Sequence, residues 1–211
     1  MITSILLIST IAYLIGSIPT AVWVGKKIHG IDVREHGSKN AGATNTFRVL
    51  GKKSGWIVLL VDVAKGALCA LFPLFLLPQL PETNLPELSA QLVASFFAVL
   101  GHIFPLYAQF RGGKGVATSL GIVIGINPVA AAICFSIFLL LFLAFQYVSL
   151  GAIIAAAAFP VVNYYILENR DATMIGFTLV LAVLVIAAHV KNIGRLLRGE
   201  ENKMNLFKKK A

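Results

Sequence analysis

Val116-Ala117-Thr118-Ser119-Leu120-Gly121-Ile122-Val123-Ile124-Gly125-Ile126, closed by Asn127-Pro128, is the stretch on which the fold turns. It is apolar and uncharged, yet only about half of the ~20 residues that a helix needs to cross hydrocarbon. Asn127-Pro128 breaks it, because proline lacks a donor and disfavours helix at the residue before it. The piece is either a short tilted crossing or a re-entrant segment, and its neighbours decide between the two. Apolar runs of full length lie near 2–24, 54–78, 88–109, 129–147, 149–167 and 172–190. Counting 116–126 as a crossing makes seven.

The charges settle the count. Loop 26–53 holds Lys26, Lys27, Arg34, Lys39, Arg48, Lys52 and Lys53; loop 111–115 holds Arg111 and Lys114; the tail holds Lys191, Arg195, Arg198, Lys203, Lys208, Lys209 and Lys210. Those are sixteen of the eighteen basic residues. The other connections carry Glu82, Glu87, Glu168 and Asp171, with Arg170 as their one cation. Basic loops stay on the cytoplasmic side. Seven crossings put all three basic segments there, with the N-terminus outside. Six would place the tail opposite loop 111–115. The expected fold is an all-α polytopic membrane protein of seven transmembrane helices with a cytoplasmic C-terminus, forming a single domain over 1–211.

Composition agrees. Of 211 residues, 58% are hydrophobic and 13% charged, about half the ~25% charge of a soluble domain. Disorder and disulfide scaffolds are excluded. Cys69 and Cys134 lie in apolar runs and read as buried hydrophobes. No basic residue precedes the first apolar run, which argues against a cleaved signal peptide. Four scattered histidines give no metal-ligand spacing, and the soluble basic face that nucleic acid requires is missing.

Function is expected in the cytoplasmic segments. The first runs Asp32-Val33-Arg34-Glu35-His36-Gly37-Ser38-Lys39-Asn40-Ala41-Gly42-Ala43-Thr44-Asn45-Thr46-Phe47-Arg48. Glycine lets backbone N–H groups approach an anion, hydroxyls and amides add donors, and Arg or Lys adds charge. The combination suits phosphate. A topology-setting basic loop explains the charge but not the small polar residues. It is no P-loop, since Ala43 stands where lysine is required. The second runs Gly101-His102-Ile103-Phe104-Pro105, then Phe110-Arg111-Gly112-Gly113-Lys114-Gly115-Val116-Ala117-Thr118. Here a glycine turn with a cation opens into a helix, whose N-terminus attracts anions. An ordinary tight turn accounts for the glycines but not for Lys114. In the third, His189 and Asn192 share a helical face, while Arg198 and the terminal lysines equally suit a tail resting on anionic headgroups. Asp62 and Lys65 lie one turn apart within a span and read as a structural ion pair. Ser149 opens a span, where a lone serine is commonly a cap.

These segments, in this order between apolar spans, resemble the bacterial acyl-phosphate-dependent glycerol-3-phosphate acyltransferases, the PlsY family. The likeness rests on Gly16-Ser17-Ile18-Pro19, Gly37-Ser38-Lys39-Asn40 with Gly42-Ala43-Thr44-Asn45 and Arg48, Asp62 with Lys65-Gly66, the Gly101–Thr118 stretch, and His189, Asn192 and Arg195. Lys39 departs from it, standing where the family often has glycine. Of the doubled Glu200-Glu201, spacing from Arg195 and Gly199 matches Glu201 to the family's C-terminal glutamate.

The resemblance implies acyl transfer from a fatty acyl phosphate to the 1-hydroxyl of sn-glycerol 3-phosphate, giving lysophosphatidate and phosphate, at a cytoplasm-facing site in the bacterial inner membrane. It implies no cofactor, and a functional link to an enzyme that forms acyl phosphate. It carries Ser38, Arg48, Lys114, Ser149, His189 and Asn192 over as substrate-binding or catalytic positions. Arg48, Lys114, His189 and Asn192 are the expected catalytic set; Ser38, Asn45, Gly112, Gly113 and Ser149 are the expected substrate contacts. His189, Glu201 and a substrate phosphate are the candidate bases. A different class, a transporter of a phosphorylated or anionic metabolite, would also explain basic loops and a half-helix. It would put its site near the midplane in paired repeats, and no second half mirrors 116–128.

Overall fold

The computed structural model describes residues 1–80 and 84–204. Glu82 and Lys208 to Lys210 lie outside the described residues. Among those described, every regular element is helical. Five helical stretches are long and apolar enough to cross a bilayer: Ile2–His29, Lys52–Gln79, Glu87–Ala108, Pro128–Phe145 and Val148–Ile166. A sixth exists if Ala172–Ala188 and Val190–Leu197 are joined across their 61° bend. Val116–Ile126 stays short, at 11 residues. This is the fold of an integral membrane protein. The chain divides into two compact units, residues 1–131 and 132–211.

The first unit holds α1 (Ile2–Gly16), α2 (Thr20–His29), α3 (Ala43–Leu50), α4 (Lys52–Leu76), α5 (Glu87–Ile103) and α6 (Val116–Ile126). The expected uninterrupted span 2–24 is instead broken at Ser17-Ile18-Pro19 and continues to His29. Pro19 forces the break: Ile18 is pushed from helical geometry and Pro19 becomes the N-cap of α2.

Lipid tails are as apolar as leucine, so these helices associate by close packing and polar contacts, not by escape from water. Glycine supplies the closeness. A side chain on Gly66 of α4 would strike the Thr118 backbone of α6, and one on Gly121 of α6 would strike the Val63 backbone of α4. Gly16 of α1 sits equally tight against Ala98 of α5. Asn127 ends α6, and its side chain accepts from the Ala130 amide at 3.0 Å, starting the next helix.

That helix, α7 (Pro128–Phe145), crosses into the second unit, which also holds α8 (Val148–Val161), α9 (Ala172–Ala188) and α10 (Val190–Leu197). Phe135, Phe138 and Phe142 stack along α7 at 6.0 Å centroid spacing. Asp171 caps α9 by accepting from the Met174 amide at 2.8 Å.

Candidate active site

The expected site residues fall into two groups, one in each unit. Ser38, Asn45, Arg48, Gly112, Gly113 and Lys114 belong to the first. Ser149, His189 and Asn192 belong to the second, where Glu201 joins them.

In the first unit the loop before α3 is wound around Asn45. This side chain is 1% exposed. Its oxygen accepts from the Ser38 amide at 2.8 Å, and its nitrogen donates to the carbonyls of Val33 at 2.8 Å and His36 at 3.1 Å. Both ends of the amide therefore hold backbone. The structure gives Asn45 the work of shaping the loop that presents Ser38, a different position from the expected substrate contact. Gly37 and Lys39 both sit in the left-handed region, at φ 58°. That conformation explains why glycine suits position 39, and a side chain there carries ~1 kcal/mol or more of strain. Lys39 itself is exposed, whereas Ser38 and Arg48 are half-buried.

The second loop doubles back on α5. Gly112 donates to the Ile103 carbonyl at 3.2 Å and Gly113 to the His102 carbonyl at 3.1 Å. These are carbonyls that the end of a helix leaves unmatched. Gln109 and Phe110 take left-handed conformations to make the reversal, and Gly115, at φ 81°, starts α6. Half-buried Lys114 is thus held in a glycine turn at a helix N-terminus. Backbone donors, helix dipole and ammonium together favour an anion there.

Arg34 ties the two loops together, a role that its sequence position does not reveal. Its guanidinium grips Asp32, with Nη2 at 2.7 Å from Oδ2, while Nη1 donates to the Ala108 carbonyl at 2.7 Å. Ala41 and Asn40 add longer bonds to the Gly112 carbonyl, both at 3.4 Å. Arg34 holds the Asp32 carboxyl well below the usual carboxylate range, against the opposing effect of burial.

The expected Asp62–Lys65 pair forms, at 2.8 Å and almost fully buried. It has further partners that sequence spacing could not show. Thr20 donates to Asp62 at 3.1 Å, and Lys65 donates to the Ile18 carbonyl at 2.9 Å, at the break between α1 and α2.

In the second unit Glu201 is the hub. Its Oε1 accepts from Ser149 at 3.1 Å and from Asn192 at 2.8 Å; its Oε2 accepts from Arg195 at 2.7 Å. Glu200 instead pairs with Arg198 on the surface. The spacing argument thus selects the carboxylate that the structure engages. Burial raises the Glu201 pKa, but the bonds from Arg195, Asn192 and Ser149 outweigh it and hold it below the ordinary value. A carboxylate so engaged is a poor proton acceptor and a good anchor. His189, 3% exposed, sits at the bend between α9 and α10. Its Nδ1 lies 2.7 Å from the Val185 carbonyl. A carbonyl only accepts, so Nδ1 carries the proton and the lone pair of the neutral ring is at Nε2.

A cation-bearing glycine turn tied to a hydroxyl- and Arg-bearing loop, in an integral membrane fold, is an arrangement that favours anions. The comparisons with known proteins narrow this. The family model described as "Glycerol-3-phosphate acyltransferase" matches residues 6–199. The glycerol-3-phosphate acyltransferase of Chlorobaculum tepidum is 41% identical over 229 residues, covering 97% of this chain and 98% of that one. That of Streptococcus pyogenes serotype M5 is 40% identical over 205 residues, covering 94% and 92%. The crystal structure of PlsY (YgiH), an integral membrane glycerol 3-phosphate acyltransferase, in its glycerol 3-phosphate form superposes with a TM-score of 0.82 at 35% identity, covering 97% of this chain and all of that one. Its lysophosphatidic acid form gives 0.81 at 34% identity. The chain belongs to the PlsY-type glycerol-3-phosphate acyltransferase family, and the transporter alternative gives way to an acyltransferase.

Proposed function

We propose that this protein transfers a fatty acyl group from acyl phosphate to the 1-hydroxyl of sn-glycerol 3-phosphate, releasing 1-acylglycerol 3-phosphate and inorganic phosphate. The observation that carries the reading is the turn Gly112-Gly113-Lys114-Gly115, folded back on α5 at the start of α6 and tied through Gly112 to the loop presenting Ser38. Both substrates are phosphorylated, and a cation in a turn at a helix N-terminus suits phosphate.

In the step, the 1-hydroxyl oxygen attacks the acyl carbonyl carbon. The bond from that carbon to the phosphate oxygen breaks, and phosphate leaves with the electron pair. Arg48 and Lys114 stabilise the charge on the departing phosphate, and Ser38 donates to a phosphate oxygen. The hydroxyl proton passes to a base, for which the family resemblance offers His189 or a substrate phosphate oxygen. Glu201 fixes Asn192 and Ser149 in the second group and is not the base. An acyl phosphate is already activated, so no covalent enzyme intermediate is required. Acyl-CoA is not a donor: His-x-x-x-x-Asp, the acid–base pair of many acyl-CoA enzymes, is missing, since Arg34, Ala41, Tyr107 and Gly194 stand five residues after the four histidines.

The proposed setting is the bacterial inner membrane, with seven crossings, the N-terminus outside and the site open to the cytoplasm, where an acyl-phosphate-forming enzyme supplies the donor. The sixteen cations in three segments support this sidedness.

The test is phosphate release and lysophosphatidate formation by purified protein given acyl phosphate, with and without glycerol 3-phosphate. Lys114→Gln should lower kcat/KM about a hundredfold, the loss of a charge-assisted contact worth on the order of 3 kcal/mol. Lys114→Arg should fall between. Near-normal turnover by folded Lys114→Gln, or robust product from acyl-CoA alone, refutes the reading.

A further inference from the structure

Behind the Gly112–Lys114 turn lies a small cavity of about 10 Å³, lined by Thr20, Asp62, Lys65, His102, Gly112 and Gly113 among others. Asp62, Lys65, His102 and Thr20 are each 7% exposed or less. At the break between α1 and α2 the Ile18 carbonyl already accepts from the Thr20 backbone amide at 3.0 Å, so Lys65 is not needed to satisfy it. A full ion pair buried among helices is costly. The pair's position suggests what else it does.

His102 connects the pair to the turn. Its carbonyl accepts from the Gly113 amide at 3.1 Å. Its ring lies so close to Gly113 that a side chain there would strike Nε2. On the other edge, Nδ1 stands 3.8 Å from Oδ1 of Asp62, the oxygen that also meets Lys65 at 2.8 Å. Asp62 is therefore fixed by Lys65 and Thr20, His102 rests against Asp62, and Gly113 rests against His102. Lys114 is the next residue, its Cα tied about 3.8 Å from that of Gly113 across a trans peptide, so a shift of Gly113 bears directly on it.

We infer that Asp62, Lys65 and His102 are positioning residues for acyl transfer, acting through the Gly112-Gly113-Lys114 turn. The inference rests on the proposed role of that turn in phosphate binding.

The experiment is a set of double-mutant cycles against Lys114→Gln, on full-length folded protein in detergent with acyl phosphate and glycerol 3-phosphate. His102→Gln, and the charge-neutral pair Asp62→Asn with Lys65→Met, should each lower kcat/KM on the order of tenfold, since misplacement by an ångström costs up to ~100-fold. Placed on Lys114→Gln, either change should cost nothing further, because its effect runs through the side chain already lost. Losses that multiply, or a His102→Gln protein as fast as the unmodified one, overturn the inference. If the charge-neutral pair fails to fold, His102→Gln alone decides. A large loss in Lys114→Gln with none in His102→Gln removes only this inference. No loss in Lys114→Gln removes the phosphate reading and this inference with it.

Discussion

Arg34→Met tests the strut between the two loops. Arg34 and Asp32 are 11% and 10% exposed at their side chains, so the contacts are screened only partly. The substitution removes the bond from Nη2 to Asp32 at 2.7 Å, those from Nε at 3.0 and 3.2 Å, and the bond from Nη1 to Ala108 at 2.7 Å. Hydrogen bonds involving charge contribute about 1.5–3 kcal/mol each to stability. Asp32 keeps the Arg34 backbone amide at 3.0 Å and the mostly exposed Lys26 at 3.3 Å, so it is not stranded. The expected cost is thus about 3 kcal/mol, below the sum of the lost bonds. Ala108 lies four residues before Gly112, and its carbonyl keeps the Arg111 amide at 3.2 Å, but losing the Arg34 tie should still loosen that turn. The thermal midpoint in detergent should fall by several degrees, and kcat/KM should fall about tenfold in the protein that remains folded. Arg34→Lys should recover part of the stability, since one ammonium cannot serve both Asp32 and Ala108. An Arg34→Met protein with unchanged Tm and unchanged kcat/KM would refute the strut.

Three other outcomes are expected. The lowered pKa of Glu201 contributes stability that is present above the ordinary carboxylate range and lost as the pH falls below it. Glu201→Gln should therefore lower Tm at neutral pH and flatten the acid limb of a Tm–pH profile, with the remaining slope due in part to Asp32; an unaltered profile counts against the hub. Lys39→Gly should leave Tm equal or raise it by up to ~1 kcal/mol equivalent, whereas Lys39→Val should lower it, because β-branched residues tolerate φ 58° worst. Single cysteines at Asn169 and Lys203 should label from opposite sides of sealed vesicles, and labelling from one side would end the proposed sidedness.

The long spans were legible because a run of apolar residues has one cheap environment. The break at Ser17-Ile18-Pro19 was not, because Ile15 and Ile18 keep the run apolar up to Pro19 and hydropathy ignores backbone geometry. The glycine turn around Lys114 was legible as a turn at a helix start, since Gly112, Gly113 and Gly115 flank the cation just before the apolar run begins. Asn45 was not: an amide has the same donors and acceptor for phosphate as for backbone, and only the fold shows which it meets. Arg34 was silent for another reason, its second partner being Ala108, a backbone carbonyl 74 positions away. Glu201 was readable because its register with Arg195 and Gly199 survives a doubled glutamate.

The short helix α6 carries a consequence for biogenesis. Eleven residues rise about 16 Å, half the ~30 Å of hydrocarbon. Such a segment has little partition free energy of its own, and Gly121 and Gly125 leave it less side chain than a typical span would offer. What holds it is α4, through the backbone approaches at Gly66 and Gly121. Its settling in the membrane is therefore expected to depend on α4 being there first. A reporter enzyme fused directly after Ile126 would read an unsettled intermediate, whereas one fused after Phe145 would read the finished arrangement. Changes that enlarge Gly66 or Gly121 should act at this stage, reducing the amount of protein that reaches the membrane.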